Sequence, residues 1–232
     1  MRPITRGDVP KDANDAAVVF NHYGDARDPL IARIGDYCSY CEVALHSGID
    51  VEHVQPKKSH PDLETTWSNF LLACNYCNAV KGPRGDNLHD YYWPDTDNTS
   101  RPFVYERDRS PRVADWLSAD QRVLAQQSLK LTGLDREPGH SGLTQRDRRW
   151  SKRREAWGVA LRERDKIQQS DTIQQRDSAV QVAVARGFWS VWMQVFHDDI
   201  DMRRRLNAAF PGTAIDCFDN STQPSQRPGG RL

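Results

Sequence analysis

Two Cys-x-x-Cys pairs, Cys38/Cys41 and Cys74/Cys77, constrain this chain more than any other feature. Four soft thiolate donors supply the tetrahedron that zinc prefers. A single Cys-x-x-Cys also occurs in redox motifs, whereas two pairs flanking an apolar strand–loop–strand stretch point to one shared metal site. An iron–sulfur cluster uses the same ligands and stays open as an alternative. The N-terminal residues are basic but lack a hydrophobic leader segment, so a reducing, cytoplasmic setting is expected and a disulfide framework is not. The fifth cysteine, Cys217, lies alone in Ile215-Asp216-Cys217-Phe218 and reads as buried core.

Between and around the pairs runs the stretch Tyr37–Gly82. Gly35 to Cys41 reads as a tight cysteine knuckle. Val43-Ala44-Leu45 and Ile49 to Val54 read as two short strands joined through Ser47-Gly48. Lys57 to Thr66 is polar, contains Pro61 and reads as a loop. The apolar run Asn69 to Cys74 suits a buried strand. A short helix is expected from Asn75, carrying Asn78 and Lys81 and stopped by Gly82-Pro83.

The polar residues that a thiolate cluster does not need are the informative ones. Glu52 and His53 are adjacent on a strand, and Asn78 directly follows a cysteine ligand. A carboxylate and an amide oxygen are hard ligands suited to Mg²⁺. A neutral imidazole beside them is the natural base for activating water. His22, His46, His60, His89, His140 and His197 lack such company and read as surface or packing residues.

Glu52-His53, Asn69 and Asn78 together resemble the three-part pattern of HNH endonucleases, the ββα-metal nucleases, in the variant held by four zinc-binding cysteines. That resemblance implies that His53 is the general base and Glu52 a ligand of a divalent ion. It implies that Asn69 ties down the loop between the strands and that Asn78 completes the metal site. Two departures from the commoner pattern are Glu for Asp and a final Asn for His; Asn78 makes the site harder and more oxygen-rich, which favours Mg²⁺ or Mn²⁺ over a softer transition metal. The wider run is similar to the HNH proteins of Septu and retron antiviral systems. It comprises Tyr-Cys-x-Tyr-Cys-Glu, Glu-His-x-x-Pro-Lys, Trp-x-Asn and Cys-Asn-x-x-Lys-Gly. This implies a role in antiphage defence beside an ABC/SMC-like ATPase.

The rest of the chain is read from pattern. Asn14-Asp15 would cap a short helix through Phe20, and Leu30 to Ile34 would form another. Ser118 opens a helix over Ala119–Leu131, Thr144–Gln169 reads as a long charged helix, and helical spacing continues from Ile173 to Val195. Asp198-Asp199 would cap a last helix. The expected class is α+β: a nuclease unit over 1–112 (core 35–83), a helical partner-docking half over 113–219, and a disordered Ser/Gln/Pro/Gly-rich tail over 220–232. Trp150, Trp157, Trp189 and Trp192 are the aromatics expected to dock the partner.

Charge narrows the nucleic-acid question. Lys plus Arg and Asp plus Glu both number 32, so any nucleic-acid footprint must be local. Arg146, Arg148, Arg149, Lys152, Arg153 and Arg154 cluster around Trp150, with Arg107, Arg109 and Arg112 upstream. Lys81, Arg149, Lys152 and Arg153 are the expected phosphate contacts. A solvated helix face paired with Glu155, Glu163 and Asp165 is the alternative. No apolar run approaches the roughly 20 residues of a membrane helix. The expectation is thus an endonuclease acting on DNA ahead of RNA, both staying open because such a site grips the phosphodiester. The competing reading is a non-catalytic zinc-ribbon recruitment module.

Overall fold

The computed structural model describes residues 1–232. Its nucleus is a two-stranded antiparallel ribbon, β1 (Ile49–His53) against β2 (Phe70–Cys74), in a register that sets His53 opposite Phe70 and Ile49 opposite Cys74. Phe-Leu-Leu-Ala-Cys is apolar throughout because β2 is buried along its whole length. α2 (Asn75–Lys81) starts without a connecting loop, and the Cys74 Sγ accepts its first-turn bond from Cys77 N–H. One residue thus ends a strand, caps a helix and offers a metal ligand. The order is strand, strand, helix.

Val43–Leu45 is not the partner strand of β1. It forms only isolated bridges, Tyr37 with Ala44 and Val43 with Gly187. The reason is the knuckle: Cys38 N–H donates to Val43 O at 3.0 Å and Glu42 N–H to Cys38 O at 2.9 Å, which turns these residues away from β1. The 16-residue connection between the real partners carries two 3₁₀ turns, Pro61–Leu63 and Trp67–Asn69.

The helical half begins after a short ribbon, β3 (Phe103–Val104) with β4 (Arg112–Val113). The helices are α3 (Ala119–Thr132), α4 (Arg149–Gln169), α5 (Ile173–Arg186), α6 (Trp189–Val195) and α7 (Ile200–Ala209), with α1 (Arg27–Ile34) lying upstream of the nuclease ribbon. Ser118 and Gln121 form a reciprocal capping box on α3, and Asp199 caps α7 through Met202 N–H. Helical spacing from Ile173 to Val195 is broken at Gly187-Phe188, both with positive φ. The break has a contact reason, since a Cβ on Gly187 would sit 2.4 Å from Glu42 O.

Three further expectations change. Residues 14–20 form no helix; Lys11 bridges to Ala17 around a tight turn. α4 starts at Arg149 rather than Thr144. Residues 220–232 are ordered: Asn98 holds the Cys217 and Ser225 carbonyls, Arg231 pairs with Asp97 at 2.9 Å, and Leu232 is buried. Polar composition is a poor guide there because the segment is fixed by side-chain-to-backbone bonds rather than by apolar area. The halves also share one apolar core running from Phe20 through Phe70, Trp157 and Trp192 to Phe210.

Candidate active site

The cysteines converge as the spacing implies. The Sγ atoms of Cys38, Cys41, Cys74 and Cys77 all lie within 4.8 Å of one another, and all four residues are buried. Cys41 Sγ and Cys74 Sγ are 3.7 Å apart. A zinc tetrahedron with Zn–S of about 2.3 Å has edges of about 3.8 Å, so the donor set fits the ion. Within each pair the second cysteine donates its N–H to the first sulfur, Cys41 to Cys38 at 3.5 Å and Cys77 to Cys74 at 3.4 Å. Burial pushes the Cys38 and Cys41 thiols well above the ordinary range, so a set of thiolates here requires a compensating cation.

That compensation is partly built in. Arg149, in the first turn of α4, donates to Cys77 Sγ at 3.1 Å and to Thr132 O at 2.7 Å, while its other side is held by Asp147 at 2.7 Å. Arg153 is buried one turn on, within Coulombic reach of Cys41 and Glu42. Arg149 and Arg153 are therefore not phosphate contacts: both are sealed from solvent and face the cluster. Lys152 is exposed but paired with Glu155 at 2.8 Å. Glu42 is held on the helical side, its carboxylate accepting from Ser190 N–H at 3.0 Å and Ser190 Oγ–H at 2.6 Å.

Glu52, His53 and Asn78 line one cleft of about 260 Å³ on the face of the ββα unit. His53 closes β1 with its ring between Tyr23 and Phe70, each in edge-to-face contact at 4.9 and 5.4 Å. Its Nε2 lies 2.9 Å from Glu64 O. A carbonyl can only accept, so the proton sits on Nε2 and the free lone pair is on Nδ1. Burial lowers the pKa of His53, opposed by the bond to Glu64 O, which favours the neutral, basic form.

Asn69 sits behind this residue rather than in the cleft. Its side-chain amide accepts from Gln55 N–H at 2.8 Å and donates to Gln55 O at 2.9 Å and Leu63 O at 3.3 Å. It thereby ties the start of the long connection to its end. The largest cavity, about 530 Å³, lies beside Asn69 but contains none of Glu52, His53 or Asn78. Its charges are already matched as Arg6–Asp95 and Arg231–Asp97.

Two side chains change the sequence picture of the acidic residue and the amide. Lys81 is buried, donating to Glu52 Oε1 at 2.7 Å and to His53 O at 2.7 Å, so it neutralises the cleft carboxylate instead of meeting substrate from the rim. Burial still raises the Glu52 pKa, with Lys81 opposing. Asp50, which the sequence reading does not single out, accepts from Asn78 Nδ2 at 2.8 Å. A carboxylate has no proton to give here, so the Asn78 amide is oriented with its Oδ1 left free. The alternation Asp50-Val51-Glu52, two carboxylates on one face of a strand, is the signal that points to it. With Glu52, that oxygen forms a hard donor set that fits Mg²⁺ or Mn²⁺. At the rim, Lys57 pairs with Glu64 at 2.9 Å and lies 4.4 Å from the Tyr23 ring centre, while Lys58 has no carboxylate partner.

Comparison with known proteins agrees with this geometry. Residues 38–84, which hold both cysteine pairs and the whole cleft triad, match the family profile described as HNH endonuclease. A stretch of 74 residues, 31% of this chain, is 32% identical to the Septu protein PtuB of Bacillus thuringiensis and spans 29% of that protein. No helix is long and apolar enough to cross a membrane. The zinc-stapled ββα unit of this chain is an HNH endonuclease domain, set in an α+β architecture with a helical C-terminal part and distantly similar to Septu PtuB.

Proposed function

We propose that the protein is a divalent-metal-dependent endonuclease that hydrolyses phosphodiester bonds, with DNA as the first substrate to test and RNA the second. The observation that carries this is the His53 geometry: Nε2 is committed to Glu64 O, which leaves Nδ1 unbonded on a residue that lines one cleft with Glu52 and Asn78. A zinc ribbon used only for recruitment needs the cysteines and none of these three.

In this mechanism His53 Nδ1 takes a proton from the attacking water, and the Glu64 carbonyl steadies the ring as it becomes cationic. Asn69 keeps the connection closed so that the ring keeps its aim. Lys58 at the rim offers a charge for the scissile phosphate. Asp50 holds the Asn78 amide through its nitrogen, leaving the oxygen unbonded, and Lys81 gives the buried Glu52 carboxylate a counter-charge. A Mg²⁺ or Mn²⁺ ion held by Glu52 and Asn78 would supply stabilisation of the phosphate charge and of the leaving oxygen.

The similarity to Septu PtuB extends the proposal to context: the chain acts as the effector of an antiphage defence assembly with an ABC/SMC-like ATPase. The tryptophans do not identify the docking face, since Trp157, Trp189 and Trp192 are buried in the chain's own core. Incubating the protein with plasmid DNA and with total RNA plus Mg²⁺, with and without that ATPase, tests both parts. Cleavage should fall about 10²–10⁴-fold in His53→Ala with zinc content intact. Cleavage by His53→Ala at the wild-type rate in the partner-loaded assembly would sink the nuclease mechanism.

A further inference from the structure

We propose that the outer face of α4 forms a second phosphate-binding site, an arginine groove that holds the nucleic-acid backbone away from the catalytic cleft. It rests on the nuclease reading for the class of its ligand. Trp150, Arg154, Gly158 and Arg162 recur every fourth residue and so share one helix face. Arg107 from the β3–β4 connection and Arg186 from the last turn of α5 converge on that face. Together they line a groove of about 450 Å³.

The groove gathers arginines that no carboxylate holds. Several arginines elsewhere are matched, as in Arg176 with Asp171 and Asp199, Arg205 with Asp177 and Asp201, and Arg112 with Glu106. In the groove Arg107, Arg162 and Arg186 are exposed and make neither an ion pair nor a hydrogen bond within the chain. The one carboxylate in its lining, Glu155, is taken by Lys152 at 2.8 Å. Arg154 pairs with Asp108 in an open, solvent-exposed contact and lies 5.8 Å from the Trp150 ring centre. Three unmatched arginines on one concavity, in a chain whose charges sum to zero, form a local field that attracts a polyanion.

Gly158 is the independent observation. A glycine inside a helix costs about 1 kcal/mol relative to alanine. Packing does not demand it: a Cβ there would meet only Arg162 Nη1, at an ordinary 3.6 Å. Its effect is to leave the floor of the groove open between Arg154 and Arg162, where a backbone can approach. The half-buried Trp150 ring at one end offers a stacking surface of the kind that single strands use. Register with the catalytic unit comes from Arg149, which fixes the first turn of the same helix to Cys77.

The test uses the full-length chain carrying His53→Ala, so that binding is read without cleavage. Anisotropy of a labelled DNA duplex, and separately of a labelled single strand, is followed across a salt series. The triple substitution Arg107→Ala, Arg162→Ala, Arg186→Ala should weaken binding equally across sequences. For the duplex it should flatten the log–log salt slope by about 0.9 for each phosphate no longer neutralised. Gly158→Met, which leaves charge unchanged and raises helix propensity, should weaken binding at least several-fold. Unchanged affinity and slope in both variants would overturn the groove, as would a groove that proves to bind an acidic protein partner while nucleic-acid affinity is unaltered. Cleavage by otherwise wild-type chains reports on the cleft separately, so a dead groove and a dead nuclease are distinguishable outcomes.

Discussion

Arg149 Nη1 lies 3.1 Å from Cys77 Sγ, and through this contact the helical half reaches the cysteine cluster directly. The guanidinium is enclosed with Asp147, so removing it strands a buried carboxylate. Arg149→Leu is expected to cost about 3–5 kcal/mol, and pairing it with Asp147→Leu should return part of that loss. Denaturant midpoints of the single and double variants are the measurement. A single variant as stable as the parent would show that the contact carries no energy.

Zinc content gives the plainest prediction. The purified protein should carry about one zinc per chain by elemental analysis. Cys74→Ser removes a ligand, a strand end and a helix cap together. It should lose both the metal and the cooperative unfolding transition, because a small zinc unit owes much of its folding energy to the ion. Full zinc occupancy in a folded Cys74→Ser chain would contradict the staple.

Lys81 separates a structural from a metal-linked reading of Glu52. Lys81→Met leaves Glu52 buried without its partner and should destabilise the protein by about 3–5 kcal/mol in chelator. If Glu52 ligates a divalent ion, millimolar Mg²⁺ or Mn²⁺ should raise the midpoint of this variant more than that of the parent, because binding to the folded state alone adds stability. Equal shifts in both would remove Glu52 from the metal site.

Asp50→Ala should act on metal use rather than on folding. Without the 2.8 Å bond the Asn78 amide is free to turn its oxygen away from the cleft. The Mg²⁺ concentration for half-maximal cleavage should rise by roughly tenfold, in the range of losses from removing a ligand-orienting group. Cleavage at saturating Mg²⁺ should recover toward the parent level. A loss of rate that no metal concentration restores would point to a different role.

How much of the molecule is legible in the sequence depends on whether the signal is local. The cysteine tetrahedron, the β2 run into α2 and the Ser118 cap are written in residues a few positions apart, and each stands where spacing puts it. The partner of β1 is hidden because Val43–Leu45 is apolar and adjacent, whereas Val43 is recruited by Gly187 far along the chain. Arg149 and Arg153 read as surface charge because nothing local reveals that α4 turns them toward thiolates. Lys81 reads as a phosphate contact for a similar reason, since its partner Glu52 lies on another element. Trp157, Trp189 and Trp192 look like surplus only when the core they fill is counted without its N-terminal share.

Glu42 bears on how the protein comes into being. This residue of the cysteine knuckle finds its carboxylate partners on Ser190, 148 positions later. Its carbonyl receives Phe188 N–H, and the Gly187 backbone closes against it. A ribosome adding about 5–20 residues per second reaches those positions on the order of ten seconds after the knuckle is made. During that interval the nascent chain holds the cleft residues without the scaffold that seats them. On the proposed function, a chain assembled in this order would stay unfinished while tethered among the nucleic acids of its own translation machinery, and the late helices would complete it only near release.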